Sequence, residues 1–138
     1  MDSVVLDTNV LIDFLSTARP ENNIAVSTIR ELRTANANVY AVANSLEDIY
    51  YILGRTDGEP VARTAVTTLL AVFGILPVDE NCCHHALMCG EPDFEDGIIR
   101  AAAEIARVDY IISRDASAFV GSLVPRLSPA EALRELRP

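Results

Sequence analysis

Short apolar runs alternate along this chain with segments in which apolar residues recur every three or four positions. Such runs, nearly continuous and bounded by polar residues, occur at Ser3–Leu6, Asn38–Ala43, Gly74–Val78 and Tyr110–Ser113, with a less apolar run at Leu123–Leu127. Continuous apolar runs of this length are typical of strands covered on both faces. The runs therefore predict a parallel sheet with helices on each side.

The segments between these runs have the periodicity of helices. Apolar helical faces occur at residues 24–32, 46–53, 61–73, 98–106 and 129–136. Side chains that can accept hydrogen bonds from free N–H groups precede several of them, and we predict caps at Asn22 or Asn23, Ser45 and Asp93. Pro129 is predicted to start the last helix. The alternation predicts an α/β fold, a three-layer α/β/α sandwich around a mainly parallel central sheet.

Length and composition fit one globular domain over residues 1–138. Apolar residues make up 50% and charged residues 22%, as in ordinary globular proteins. No run approaches the ~20 apolar residues of a membrane span, and Met1-Asp2-Ser3 lacks the basic segment of a signal peptide. The three cysteines are clustered and odd in number, which does not suggest a disulfide framework. We therefore expect a reducing, cytoplasmic location.

The charge balance limits the kind of nucleic-acid binding to expect. The net charge is −9, and all 11 basic residues are arginine. A strongly acidic surface argues against bulk, non-specific binding to nucleic acid. It is compatible with a metal-dependent nuclease, because bound cations cancel part of the negative charge where the substrate lies. It is also compatible with a basic protein partner.

Acidic residues follow two of the predicted strands and open one helix. Asp7 comes directly after the first strand, and Asp115 comes after the fourth. Ligands of open α/β folds bind at this carboxyl edge of the sheet. Asp96 falls in the first turn of the helix that Asp93 would cap. The alternative for each acid is helix capping or turn formation, although three acids within four residues exceed what one cap requires.

A fourth acid would come from the helix after the second strand. Glu47 and Asp48 are adjacent there, and adjacent helical positions point about 100° apart, so only one can face the crevice. Asp48 borders the apolar face. If four acids converge, their charges repel unless a cation is shared. Oxygen ligands suit Mg²⁺ or Mn²⁺, and metal-assisted phosphodiester chemistry is the use we expect.

Four motifs occur in order over nearly the whole chain. They are Val5-Leu6-Asp7-Thr8-Asn9-Val10-Leu11, Asp93-Phe94-Glu95-Asp96-Gly97-Ile98-Ile99, Ile111-Ile112-Ser113-Arg114-Asp115 and Pro129-Ala130-Glu131-Ala132-Leu133. Together they resemble the PIN domain, a family of small metal-dependent ribonucleases that includes the VapC toxins of bacterial toxin–antitoxin pairs. Ser113 stands where threonine is common in that family, and Ala118 stands where aspartate is common.

The resemblance implies roles for the acids. Asp7, Asp96 and Asp115 would be catalytic metal ligands, and the helix acid would be Asp48, with Glu47 as the alternative. One branch of the family has a segment similar to Ser45-Leu46-Glu47-Asp48-Ile49-Tyr50-Tyr51 and uses the aspartate. The resemblance also implies Mg²⁺ or Mn²⁺ as cofactor, RNA as substrate and an antitoxin protein as a possible partner. We further expect a homodimer and no association with membranes.

Polar neighbours of the acids have predicted supporting roles. Thr8, Asn9 and Ser113 are small hydrogen-bonding residues that would orient the carboxylates. Arg100 lies one turn after Asp96, and Arg114 lies next to the last acid. Both arginines are candidates for phosphate contacts, although arginines on acidic surfaces more often form ion pairs.

A group of potential zinc ligands lies outside these motifs. Its members, all within eight residues of one predicted short helix, are Cys82, Cys83, His84, His85 and Cys89. Structural zinc sites usually combine a close pair of ligands with a second, distant pair. Adjacent ligands on a helix diverge, so the spacing disfavours zinc, and cysteine also packs as a small hydrophobe.

Two other functions are compatible with parts of the sequence. A haloacid-dehalogenase-like phosphatase would use Asp7 as a nucleophile, but it requires an aspartate at position 9 and a lysine. This chain has Asn9 and contains no lysine. A PIN-like binding module without catalysis is the second alternative, and the intact set of acids argues against it.

Overall fold

The computed structural model describes residues 1–137 and contains seven helices and five strands in that range. In chain order they are β1 (Ser3–Leu6), α1 (Thr8–Leu15), α2 (Asn22–Thr34), β2 (Asn38–Val42), α3 (Ala43–Thr56), α4 (Glu59–Val72), β3 (Gly74–Leu76), α5 (Glu80–Met88), α6 (Phe94–Ala106), β4 (Tyr110–Ile112), β5 (Arg126–Leu127) and α7 (Pro129–Leu136). None of the helices in the described range is long and apolar enough to cross a membrane.

The sheet is parallel throughout, with the strand order β3-β2-β1-β4-β5. Val5 of the central strand β1 pairs with Tyr40 of β2 on one side and with Ile111 of β4 on the other. The chain runs outward from β1 to β3 and then returns through α5 and α6 to place β4 on the opposite side of β1. The direction of winding therefore reverses between β1 and β4, and this is the position where open α/β sheets bind ligands.

Alternating side chains of the strands build two cores. Val4 and Leu6 of β1 pack with residues of α1, α2, α3, α4 and α7. Val5 points to the opposite face and packs with residues of α5 and α6. Successive strand residues point to opposite faces, so a fully apolar strand has to be covered on both. The predicted three-layer α/β/α sandwich is confirmed.

Element boundaries differ from the predictions at several strand ends. β2 ends at Val42, because Ala43 already begins α3, and β3 and β4 end before the predicted Val78 and Ser113. The predicted run at Leu123–Leu127 forms only the two-residue strand β5. Polar caps confirm two helix starts: Asp93 accepts a hydrogen bond from the backbone of α6, and Ser128 forms a capping box in α7.

Two predicted caps are wrong. Ser45 lies inside α3, whose N-cap is Val42, because the strand runs into the helix with no residue between them. Asn22 is the first residue of α2 rather than its cap. Its side-chain amide instead donates to the carbonyls of Asp13 and Phe14, at 2.8 and 3.3 Å. It thereby satisfies carbonyl groups at the end of α1, which a helix cannot satisfy by itself.

Candidate active site

Asp7 lies at the junction of β1 and β4. Its backbone N–H donates to the carbonyl of Ile112 at 2.9 Å, which extends the pairing of the two strands. Its Oδ1 accepts from the N–H of Thr8 at 2.7 Å and caps α1. Its Oδ2 accepts from the Ser113 hydroxyl at 2.6 Å and from the Asn9 amide at 3.3 Å. This carboxylate caps α1, and three donors hold it in one orientation.

The environment of Asp7 disfavours its negative charge. Burial raises the pKa of Asp7, and the negative charge of Asp115 raises it further. The hydrogen bonds from Ser113 and Thr8 lower the pKa, but burial prevails. A buried carboxylate near a second one gains from a nearby cation.

Asp96 and Asp115 lie close enough to Asp7 for their charges to interact. Asp96, in the first turn of α6, is partly buried. Burial raises its pKa to about 6, with added contributions from the charges of Asp7, Asp93 and Asp115. Asp115 is exposed, and hydrogen bonds from the hydroxyl and N–H of Ser117 lower its pKa. The structure thus brings together the three acids predicted from the two strand ends and the α6 motif.

Asp48, rather than Glu47, faces the other acids. Its Oδ2 is buried and has no hydrogen-bond partner among residues 1–137. Glu47 is exposed and lies beside Tyr50 and Arg55 on another surface. α3 therefore directs Asp48 inward, as its position at the border of the apolar face predicts.

Glu95 is a fifth acid, to which the sequence analysis gave no role in the site. Burial raises its pKa to about 7, and the neighbouring carboxyl group of Asp48 and the negative charges of Asp93 and Asp7 raise it further. The cluster of acids at residues 93–96 contained this signal, because one cap does not require three acids.

The hydroxyl of Thr8 contacts α3 instead of a carboxylate. It lies 2.7 Å from the hydroxyl of Ser45, and both residues are buried. Ser45 precedes Asp48 by about one helical turn. The contact therefore fixes the helix that carries Asp48 relative to the loop that carries Asp7. Thr8 contributes only its backbone N–H, and not its hydroxyl, to the binding of the Asp7 carboxylate.

The acids have the chemistry of a hard-cation site. Among residues 1–137, no three His, Cys, Asp or Glu side chains already surround a common point as metal ligands do. The residues present nevertheless fit a divalent cation, because the donors are all carboxylates, their charges repel one another, and Oδ2 of Asp48 is buried without a partner. Such oxygen donors suit Mg²⁺ or Mn²⁺ better than softer metals.

Comparison with known proteins identifies the family. The family model of the PIN domain matches residues 3–117. The chain belongs to the PIN domain family. The match covers most of the described range and confirms the resemblance found in the four motifs. No curated protein matches the sequence significantly.

Solved VapC structures share the fold of this PIN domain. VapC20 of Mycobacterium tuberculosis, a toxin that cleaves the sarcin–ricin loop, superposes with a TM-score of 0.68 at 16% identity over 83% of this chain and 91% of that one. A toxin–antitoxin complex from Klebsiella pneumoniae gives 0.68 at 20% identity over 91% and 97% of the chains. VapBC2 of Rickettsia felis, bound to a promoter DNA fragment, gives 0.72 at 11% identity over 91% and 98%. At identities this low, the superpositions establish that the fold is shared and nothing further.

Neither predicted phosphate contact is free in this PIN domain. Arg100 is buried and pairs with Glu91 at 2.7 Å and with Glu104 at 3.4 Å, so its predicted role in binding substrate is wrong. Arg114 donates from Nε to Asp13 at 2.5 Å. These pairs give each guanidinium a structural partner, as is common for arginine on an acidic protein.

Asp13 is a buried acid that the sequence analysis missed. It is fully inaccessible to solvent and binds Arg114 and, at 3.4 Å, Arg19. The signal was a single acid within the apolar helix Val10–Leu15. Because Arg114 precedes Asp115, this ion pair connects α1 to the end of β4.

The cysteine and histidine group lies on and just after α5. All three cysteines are free. The Cys82 thiol is buried, which raises its pKa, and it points to the carbonyl of Ile98 at 3.8 Å. His85 Nε2 lies 3.0 Å from Glu104. Within residues 1–137 no three of these side chains share a metal position.

The larger grooves of the surface lie elsewhere. One of about 730 Å³ runs between the end of α1 and α4, where Phe14 and Val61 line it. It contains none of the four aspartates. The candidate site is therefore identified by its chemistry and its place in the sheet rather than by the size of a cavity.

Proposed function

We propose that this PIN domain is a metal-dependent endoribonuclease that hydrolyses RNA phosphodiester bonds. The observation that carries the proposal is the proximity of Asp7, Asp96 and Asp115 at the junction of β1 and β4. The charge of Asp115 raises the pKa of Asp7, and the charges of Asp7 and Asp115 raise the pKa of Asp96. The buried, unpartnered oxygen of Asp48 supports it. Membership of the PIN domain family, matched over residues 3–117, gives the class of chemistry.

Asp7, Asp48, Asp96 and Asp115 would hold Mg²⁺ or Mn²⁺. When bound, such an ion lowers the pKa of a water molecule and stabilises the leaving oxygen of a phosphodiester. Ser113 and Asn9 hold the Asp7 carboxylate in one orientation, so this ligand is positioned before any ion arrives.

Glu95 and the net charge of the protein also affect the proposed reaction. Glu95, with a pKa of about 7, gains and loses a proton near neutral pH, beside Asp48. It is placed to hold a proton while the aspartates are ionised. The net charge of −9 repels RNA, so the cation that the aspartates attract is also needed for the substrate to approach.

We extend the proposal to the biological setting. The chain would act as a single domain over residues 1–138, as a homodimer in the cytoplasm, and as the toxin of a toxin–antitoxin pair. Solved neighbours that were determined as toxin–antitoxin complexes support the antitoxin partner. An acidic surface suits a basic antitoxin.

RNA cleavage in the presence of Mg²⁺ or Mn²⁺ tests the proposal. Wild type should cleave, Asp7→Asn and Asp96→Asn should be inactive, and chelation should stop the reaction. Asp57→Asn, at an exposed aspartate after α3, is the matched control and should cleave like wild type. Calorimetry should show Mn²⁺ binding that both site variants weaken.

Other results would overturn parts of the proposal. Metal-dependent cleavage that survives both site substitutions would refute the site assignment. Absence of cleavage together with absence of metal binding would favour a silent binding module. Hydrolysis of phosphomonoesters would favour the phosphatase, although the amide of Asn9 donates to Asp7 where that mechanism requires an acid.

A further inference from the structure

Three buried charged side chains bind the segment that follows Asp115. Arg100 of α6 donates from Nη1 to Glu91 Oε2 at 2.7 Å and to the carbonyl of Val120 at 3.4 Å, and from Nη2 to the carbonyl of Gly121 at 3.1 Å. Its Nε lies 3.4 Å from Glu104 Oε1. We call Glu91, Arg100 and Glu104 the Arg100 clamp.

The two carboxylates of the Arg100 clamp bind the same segment from their other oxygens. Glu91 Oε1 accepts from the N–H of Phe119 at 2.8 Å, and Glu104 Oε2 accepts from the N–H of Leu123 at 2.9 Å. The three side chains thus hold two carbonyls and two N–H groups within residues 119–123. All three side chains are buried, with exposures of 4%, 11% and 5%.

This segment needs polar contacts to keep its path. Phe119 has a φ of +66° and Gly121 a φ of +82°. A bulky residue in the left-handed region persists only where its surroundings enforce it. Phe119 is buried in the core, but Val120 and Leu123 are 75% and 86% exposed, so the rest of the segment adds little packing. Buried charge pairs are costly to desolvate. Three charged side chains buried against one loop are therefore an unusual arrangement.

The Arg100 clamp connects the two halves of the candidate site. Glu91 precedes Asp96 and Arg100 follows it, so the clamp belongs to the same structural unit as that acid. The bound segment begins directly after the turn of Asp115, in which the N–H of Ala118 donates to the Asp115 carbonyl at 3.4 Å. We propose that Glu91, Arg100 and Glu104 are positioning residues that fix Asp115 relative to Asp96. This inference rests on the proposed nuclease function.

The first test compares Glu91→Gln with a control. Glutamine keeps the shape and the acceptor for Phe119 but removes the charge that pairs with Arg100. Displacement of a catalytic group by about 1 Å can cost on the order of 100-fold in rate, so kcat for RNA cleavage should fall about 10- to 100-fold while KM stays unchanged. Glu31→Gln, which removes the ion pair with Arg137 on α2, should leave both constants unchanged.

A double-mutant cycle shows whether the Arg100 clamp acts through Asp115. Single-turnover cleavage is measured with Glu91→Gln, Asp115→Asn and both together. If the clamp positions Asp115, then Glu91→Gln should have little effect once Asp115 is replaced. An equal effect in both backgrounds would overturn the inference, because Glu91 would then act by stability or by its charge near Asp96.

Amide hydrogen exchange tests the Arg100 clamp without relying on activity. Glu91→Gln and Arg100→Lys should both speed exchange at Phe119, Leu123 and Ser117, and Arg100→Lys should lose less activity than Arg100→Ala because it keeps the charge. Unchanged exchange in these folded variants would overturn the inference, as would faster exchange with a wild-type rate of cleavage. If wild type does not cleave RNA, the nuclease proposal fails, and unchanged exchange at Ser117 would separately refute the clamp.

Discussion

The Ser113 hydroxyl donates a 2.6 Å hydrogen bond to Oδ2 of Asp7 and so connects the ends of β4 and β1. The same oxygen accepts from the N–H of Asp115 at 3.1 Å. One buried hydroxyl therefore sets the positions of two acids that are far apart in the sequence. It also lowers the pKa of Asp7 against the opposing effect of burial.

Removal of this hydroxyl should destabilise the protein. Ser113→Ala removes one of the two donors to Oδ2 of Asp7 and the acceptor of the Asp115 N–H. Each hydrogen bond lost should cost about 0.5–1.5 kcal/mol. Ser113→Thr keeps the hydroxyl and should lose less. Urea unfolding followed by circular dichroism measures both. Equal losses in the two variants would show that the hydrogen bonds do not contribute.

The stability of the metal-free protein should fall as pH rises from about 4 to about 7. Glu95 and Asp96 have pKa values of about 7 and about 6 in the folded protein, against ordinary values of 4.5 and 3.8. The folded state therefore binds these protons more tightly than the unfolded chain, so stability is lost between the ordinary pKa values and the folded values of about 7 and about 6. Thermal unfolding in a chelator measures the slope.

Addition of Mn²⁺ and one substitution test the origin of that pH dependence. Mn²⁺ at about pH 8 should restore the lost stability, because it binds the folded state only. Asp96→Asn should flatten the slope, since it removes one of the shifted groups. Asp115, whose pKa is lowered, changes charge at more acidic pH and does not contribute to this slope. A stability that rises over this range would contradict the raised pKa values.

Asp48→Asn should weaken Mn²⁺ binding and RNA cleavage, and Glu47→Gln should change neither. Asp48 has a buried oxygen beside Glu95, whereas Glu47 is exposed on another surface. Loss of a group at a metal site typically costs at least about tenfold in affinity or activity. Calorimetry with Mn²⁺ provides the measurement. A stronger effect from Glu47→Gln would assign the helix acid to the neighbouring residue.

Alanine at two helical glycines should have opposite effects on stability. A Cβ on Gly97 of α6 would approach the carbonyl oxygen of Ala86 in α5 to 3.0 Å, and such overpacking costs about 1–3 kcal/mol. A Cβ on Gly54 of α3 would meet Ala62 at 3.9 Å, an ordinary contact. Gly54→Ala should therefore stabilise by about 0.5–1 kcal/mol through helix propensity. Thermal unfolding of both variants provides the measurement. Destabilisation by both substitutions would contradict the prediction.

Sequence periodicity predicted the layers of the fold, because a strand that is apolar on both faces requires two covering layers. It did not predict where strands end. Serine is a residue type typical of helix caps, but β2 runs directly into α3, and the Ser45 hydroxyl forms a hydrogen bond with Thr8 instead. Such a contact depends on residues 37 positions apart, which local patterns do not encode.

The acids were predictable because each follows a strand or opens a helix, and the topology then brings them together. Glu95 was missed because an acid in the first turn of a helix is common, and its proximity to Asp48 of α3 is not visible in the sequence. Arg100 was predicted to contact phosphate because the sequence shows how far it lies from Asp96 but does not show that it packs against Glu91. Glu104 follows Arg100 by four residues on α6, a spacing visible in the sequence, but the path that brings Glu91 back to Arg100 is not.

The two edges of the sheet are formed by β3 and β5, which are three and two residues long. Strands this short present few unpaired N–H and C=O groups, so they offer almost no template on which another chain could add a strand. A protein that binds this domain has to contact helices and loops instead. Its specificity would then depend on side chains, and the sheet itself is protected from edge-to-edge aggregation.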